Sequence, residues 1–327
     1  MNRHTRVLNA MEGKAVDRVP VTFYTHFLTP EAARDNTVPA QIAWFEDCNM
    51  DCLCIEVDGY MQYPGGGNAQ SLESWRGLKC LPGDHPYFTK QVDRAKRIRE
   101  GIRDGGVFYM IFTPFSTIKH TMESETGVME FYREGKEILD EAMKVIEEDT
   151  FRLAERIMKE TGVDGLFVSL QNAGIDKFTA EEYREYLRPW DLRLLAHANS
   201  LAEHNIVHMC SWTGVPNRME LWQDYDYKTV NWAVSVEKDM DLRQGRAFFR
   251  PGTTVMGGFD NRLQGILYHG SREEIKAYTK EQLKLAGQTG TILCADCSVQ
   301  QDQSPERIRY VVEACEEYAA QNGGTEE

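Results

Sequence analysis

Eight short runs rich in apolar and β-branched residues recur along the 327-residue chain, at 19–24, 52–57, 108–113, 165–170, 206–211, 229–235, 254–259 and 291–297. Longer segments of helical character separate them, at 40–47, 91–103, 128–161, 180–204, 216–223 and 271–286, and one more at 305–320 follows the last run. Eight strand-like runs, seven of them followed by a helical segment, follow the pattern of a parallel (β/α)8 TIM barrel, and the length accommodates about 250 residues of barrel plus insertions. An open, doubly wound sheet is the alternative that the same alternation allows. The expected organisation is one barrel domain over residues 1–327, with 321–327 a frayed tail.

Local signals agree with the helical segments. Thr179-Ala180-Glu181-Glu182 and Ser271-Arg272-Glu273-Glu274 have the form of capping boxes, and Ser304-Pro305-Glu306 puts proline at a first helical position, where its missing donor costs nothing. Internal repeats and low-complexity linkers are absent from the sequence.

With 51 acidic against 37 basic residues the formal charge is -14, which argues against general affinity for nucleic acid or an anionic membrane. The first twenty residues carry charges throughout and read as no signal peptide, and no stretch approaches the roughly 18 apolar residues of a membrane span. The chain is therefore expected in the cytoplasm, as a monomer or a homodimer. In that reducing setting its eight cysteines favour burial or metal binding over disulfides.

In a barrel of this kind the active site lies at the C-terminal ends of the strands. His208-Met209-Cys210 ends the fifth run, and residues i and i+2 of a strand share a face, so both side chains reach one ion. Cys294-Ala295-Asp296-Cys297 ends the eighth run. Three ligands from imidazole and thiolate would bind zinc and leave one coordination position open, the mark of a catalytic rather than a structural site. Spacing alone leaves the opposing reading standing, in which these thiols are small buried hydrophobes. Asp58 after the second run and Asp260 after the seventh are candidate general acids or bases, or partners that orient the imidazole; helix capping is the competing role. Gln171 and Asn172, just past the fourth run, are candidates for hydrogen bonds to a bound molecule, against a plain turn role. His120 reads as a solvated loop histidine, and Cys48, Cys52 and Cys54 as core residues; Cys80 and Cys315 carry no signal.

The order of these segments resembles the uroporphyrinogen decarboxylase superfamily. The matching stretches are Arg6-Val7-Leu8-Asn9-Ala10, Asp17-Arg18-Val19-Pro20-Val21, Asp164-Gly165 into Ala173-Gly174, Val207-His208-Met209-Cys210, Gly257-Gly258-Phe259-Asp260, and Ile292 to Cys297 before Ser304-Pro305-Glu306. The resemblance covers nearly the whole chain and implies a (β/α)8 barrel with its cleft at the strand C-termini. One branch, the true decarboxylases, holds its substrate's carboxylates with arginines in the loop after the first strand. Here that loop, Thr22-Phe23-Tyr24-Thr25-His26-Phe27-Leu28-Thr29-Pro30, contains none, although Asp58 falls near the decarboxylase's catalytic aspartate.

The other branch comprises zinc-dependent corrinoid methyltransferases, similar to methylcobamide:coenzyme M methyltransferase. Its His-x-Cys and later Cys fall on His208, Cys210 and Cys297, while Cys294 matches no ligand. The resemblance therefore implies zinc on those three residues and methyl transfer between a small molecule and a corrinoid (cobalamin) carried by a partner protein. The small molecule is a thiol acceptor or a methoxylated or methylated donor. The aromatic loop residues Phe23, Tyr24 and Phe27 would suit an apolar methoxylated donor. A metal-free uroporphyrinogen-type decarboxylase and a non-enzymatic barrel that binds a corrinoid or metal are the alternatives.

Overall fold

Seven of the eight expected runs form strands in the computed structural model, which describes residues 1–28, 37–66, 71–124 and 127–322. They are β1 (Cys52–Ile55), β2 (Gly106–Phe112), β3 (Gly165–Leu170), β4 (Ile206–Met209), β5 (Thr229–Trp232), β6 (Thr254–Phe259) and β7 (Thr291–Ala295). All pair in parallel, in sequence order, and every strand residue is buried. Near-continuous apolar runs are what a sheet covered on both faces requires.

The first run, 19–24, closes this sheet without becoming a regular strand. It makes isolated parallel bridges, Val21 to Leu293 and Thr25 to Val299. On one side Thr22 N–H donates to the Leu293 carbonyl at 3.0 Å; on the other Asp51 N–H donates to the Val21 carbonyl at 2.8 Å. The segment therefore joins the two edges, β1 and β7, and the whole is a (β/α)8 barrel. Its ladder is interrupted for a chemical reason. Pro20 has no donor, Val21 N–H goes to the Asp51 carboxylate at 2.8 Å, and Phe23 N–H points at the Met50 sulfur at 3.0 Å.

Helices cover the outside: α1 (Arg3–Met11), α2 (Thr37–Asp47), α3 (Pro86–Gly101), α4 (Pro114–Met122), α5 (Gly127–Thr161), α6 (Ala180–Tyr186), α7 (Arg188–Leu201), α8 (Leu242–Phe248), α9 (Ile266–His269), α10 (Arg272–Ala286) and α11 (Pro305–Asn322). Both expected capping boxes form, at Thr179 and Ser271, and Pro305 opens α11. The segment expected at 180–204 divides after Tyr186, because Pro189 supplies no N–H to continue the ladder. The helix expected at 216–223 is absent apart from one 3-10 turn at Met219–Leu221. There the chain is drawn into an extended pairing instead, Asn217 bridging to Gly174 with its N–H on the Glu237 carboxylate and the Arg218 N–H on the Ala173 carbonyl. Helices α1, α4, α8 and α9 add to the expected set, each too short to give a strong period. At the C-terminus, α11 runs through Asn322, so 321 and 322 are helical rather than frayed; residues 323–327 of the expected tail lie outside the described residues. None of the described helices is long and apolar enough to cross a membrane.

Candidate metal centre

The barrel register sets the site. Ser169 of β3, His208 of β4 and Asn231 of β5 are successive partners across the sheet, so their side chains share its inner face near the strand ends. Cys210 lies one residue past β4, its N–H still donating to the Leu170 carbonyl at 2.9 Å. Cys297 lies two residues past β7, after Asp296 N–H has bound the Phe259 carbonyl at 2.8 Å. Convergence follows. The Cys297 sulfur is 3.9 Å from the Cys210 sulfur and 3.7 Å from His208 Nε2, and the three ligand atoms lie within 4.8 Å of one another.

These separations suit zinc. Tetrahedral ligands at Zn–S of about 2.3 Å and Zn–N of about 2.0 Å stand roughly 3.8 Å (S to S) and 3.5 Å (S to N) apart. The donor set fits as well. The hydrogen bond shared with Cys297 holds the Cys210 thiol well below its ordinary value, while the same bond, burial and the Cys210 charge push that of Cys297 well up. Two adjacent thiolates thus oppose each other, and a divalent cation is what allows both to ionise.

A second set of contacts orients the ligands. The Asn231 amide donates to two carbonyls, Met256 at 3.0 Å and Ala295 at 3.1 Å, which leaves its oxygen facing His208 Nδ1 at 2.6 Å and the Tyr24 hydroxyl at 3.1 Å. Nδ1 therefore carries the hydrogen, and the Nε2 lone pair faces the thiols. Asn217 donates to the Cys210 carbonyl at 3.1 Å, and Glu237 holds Asn217 and Ser211 in turn. The Asp296 carboxylate receives the N–H groups of Val234 and Ser235 at 3.0 and 2.9 Å, fixing the turn that carries Cys297.

The three ligands form one wall of a cavity of about 300 Å³ at the strand C-termini. Met61, Met110, Phe112 and Trp212 supply apolar walls, and among the described residues no lysine or arginine lines it. A larger groove of about 720 Å³ opens at the opposite end, lined by Lys14, Glu203, Asp226 and Arg250, where barrel residues serve stability rather than chemistry.

The remaining expected residues fall in several places. Gln171 lines the cavity, its oxygen taken by buried Lys119 at 2.5 Å. Asn172 is a turn residue with φ 74°, bound to Ser116, and is not in the cavity wall. Asp58 also stays out of the wall, gripping His26 Nδ1 at 2.8 Å and Phe27 N–H at 2.6 Å. Asp260 makes a bidentate pair with Arg262 at 2.8 Å and caps its own loop, away from the cavity lining. Cys294 remains within β7, fully buried, and is not in the ligand cluster; burial pushes its thiol up. His120 belongs to α4 rather than a loop, its ring tilted against Phe112 with centroids 4.7 Å apart and facing the cavity. Of the aromatic loop, Tyr24 lines the cavity, whereas Phe23 packs outward on Phe259.

Two acidic-site residues escaped the sequence reading. Glu56, next after β1 and 1% exposed, lines the cavity 3.6 Å from His26 Nδ1. Burial raises its carboxyl to about 7; burial works against His26, but Glu56 and Asp58 outweigh it and raise the imidazole to about 9. The available signal was a carboxylate inside an otherwise apolar strand run.

The uroporphyrinogen decarboxylase (URO-D) family profile matches residues 74–318. No curated protein sequence matches this one. Among solved structures, a methyltransferase from Methanosarcina mazei superposes with a TM-score of 0.76 at 15% identity, covering 97% of this chain and 99% of that one. A B12-independent methionine synthase from a Shewanella species, in complex with selenomethionine, reaches a TM-score of 0.44 at 16% identity over 70% of this chain and 66% of that one, too distant to inform the comparison. The first likeness establishes a shared fold, and the match over three quarters of the sequence goes further: this chain belongs to the uroporphyrinogen decarboxylase family.

Proposed function

We propose that the protein is a zinc-dependent methyltransferase that moves a methyl group between a small molecule and a corrinoid carried by a partner protein. The observation that carries this reading is the His208, Cys210 and Cys297 cluster, spaced as zinc ligands and opening into an apolar cavity at the barrel mouth. Three protein ligands leave a position for a fourth, exchangeable one. Zinc, when bound, supplies Lewis acidity to a substrate heteroatom with little net charge on the site. The protein's own groups do the rest: Asn231 and Tyr24 fix the imidazole, Asn217 and Glu237 fix the strand end at Cys210, and Asp58 positions His26. Family membership and the fold shared with a methyltransferase support the same reading. The free thiols of all eight cysteines suit a cytoplasmic setting. An anion clamp of the kind a tetrapyrrole decarboxylase needs has no counterpart among the described lining residues.

Metal analysis tests it directly. The purified protein is expected to hold about one zinc per chain, lost in His208→Ala, Cys210→Ser or Cys297→Ser and kept in Cys294→Ser. Zinc-free wild-type protein, or loss on Cys294→Ser alone, would overturn the ligand assignment. Visible spectra of reduced and methylated cobalamin, mixed with candidate donors or thiols, then read the transfer itself.

A further inference from the structure

The buried carboxylates of this barrel are satisfied, with one exception. Asp51 accepts from Arg6, Arg18 and Val21 N–H; Asp149 from Tyr63 and Leu81 N–H; Asp191 from Tyr183 and Tyr225; Asp296 from two N–H groups. Glu56 alone among the described carboxylates has both oxygens buried with no hydrogen-bond partner. Such a group is costly unless a bound molecule meets it. His26, at 3.6 Å, is its nearest cation and is itself committed to Asp58.

The cavity that Glu56 faces limits what that molecule can be. At about 300 Å³ it has roughly twice the volume of a 150 Å³ cavity that takes benzene, so it holds one substituted ring or an equivalent. Its walls of methionine, phenylalanine and tryptophan favour an apolar body, and the one cation in the described lining, His26, already stands between the carboxylates of Glu56 and Asp58, which disfavours an anion there.

We infer that Glu56 is a catalytic residue that carries the proton of the substrate oxygen, and that the small molecule is an uncharged, apolar methyl ether, given up as its alcohol or phenol. This rests on the methyl-transfer reading above and assigns its direction, from ether to corrinoid. The methyl–oxygen bond breaks with its electron pair left on oxygen, and the Glu56 proton goes to that oxygen. The methyl is taken by the partner's reduced, Co(I) corrinoid, whose electron pair forms the cobalt–carbon bond as the cobalt is formally oxidised by two electrons. His26 stays committed to Asp58, and Glu56 regains its proton from water once the product has left the cavity.

The test uses the zinc-loaded full chain with anisole, phenol, benzoate and mercaptoacetate as probes, followed by the emission of Trp212 in the cavity wall against a Trp212→Phe control. Anisole and phenol are expected to bind at least tenfold more tightly than either anion. Glu56→Gln keeps its zinc and binds anisole within about threefold, since an amide can donate to an ether, yet transfers its methyl to cob(I)alamin at least a hundredfold more slowly, in the range of a lost general acid. With 4-nitroanisole, whose phenolate leaves without a proton, the same variant recovers most of the rate. Glu56→Leu loses anisole and phenol binding tenfold or more. The inference is overturned if Glu56→Gln transfers from anisole at the parent rate, if it loses zinc and so proves a ligand, or if the anions bind more tightly than anisole. Should no donor methylate cob(I)alamin while zinc and anisole are both bound, the methyl-transfer reading falls and this assignment with it. Unimpaired transfer by Glu56→Gln removes only the role of Glu56.

Discussion

Asn231 orients the imidazole of the candidate centre through one amide. It ties β5 to the carbonyls of Met256 and Ala295 and presents its oxygen to His208, so the imidazole has one tautomer available. Asn231→Leu is expected to keep the fold and weaken zinc binding about 10–100-fold, the usual cost of losing a ligand's partner, as a competitive chelator titration would report. Unchanged affinity would mean that packing between Phe167 and Tyr24 is enough to orient the ring. The candidate ligands were legible because their chemistry is rare and their spacing local: His208 and Cys210 are two apart at the end of one strand. Asn231 was not, since an asparagine in a strand carries no signal until the neighbouring strand shows what it faces. Asp58 and Asp260 were legible as acids at strand ends but not in their partners, and it is Glu56 that faces the cavity.

At the scale of elements, the first run is held by side chains where a strand would use its backbone. Asp51 accepts from Arg6 at 2.7 Å, from Arg18 at 2.6 Å and from Val21 N–H at 2.8 Å, joining α1, the first run and the start of β1. Removing that charge leaves two buried guanidinium groups underpaired, so Asp51→Asn should lower unfolding stability by about 3–5 kcal/mol. A fall in the denaturant midpoint with an unchanged slope would register it; a shift below 1 kcal/mol would show that Asp17 suffices for Arg6. Gly165 opens β3 against the close approach of the connection into β4: a Cβ there would lie 2.1 Å from the His204 carbonyl oxygen. The strand positions were readable from apolar runs, and the capped helices from their boxes. The short helices and the failed helix near Asn217 were not, because their outcome depends on distant acceptors such as Glu237 and the Ala173 carbonyl.

Across the whole molecule, exposed large apolar side chains gather at the mouth. Leu28, Ile175, Trp212 and Leu263 are each more than half exposed, and each sits in a loop that follows a strand of the barrel or its first run. On the proposed function, a corrinoid delivered by a partner protein would have to approach the candidate ligands over this rim. Ile175→Asp and Leu263→Asp, neither in the cavity wall, are expected to raise KM for the corrinoid protein by about tenfold or more while leaving transfer to free cobalamin unchanged. Equal loss with both acceptors would argue that these loops shape the cavity instead.

The sequence by itself determined the class of fold, the order of its strands and three candidate ligand side chains, because periodicity, capping and i, i+2 spacing are properties of neighbouring residues and the third candidate follows from the family resemblance. Only the tertiary structure decided what those residues do together. Closure of the barrel brings the end of β4 to within 3.9 Å of a turn 87 residues later, and it lines the same cavity with Glu56, whose isolation is visible only when every other buried carboxylate among the described residues has been matched to its donor.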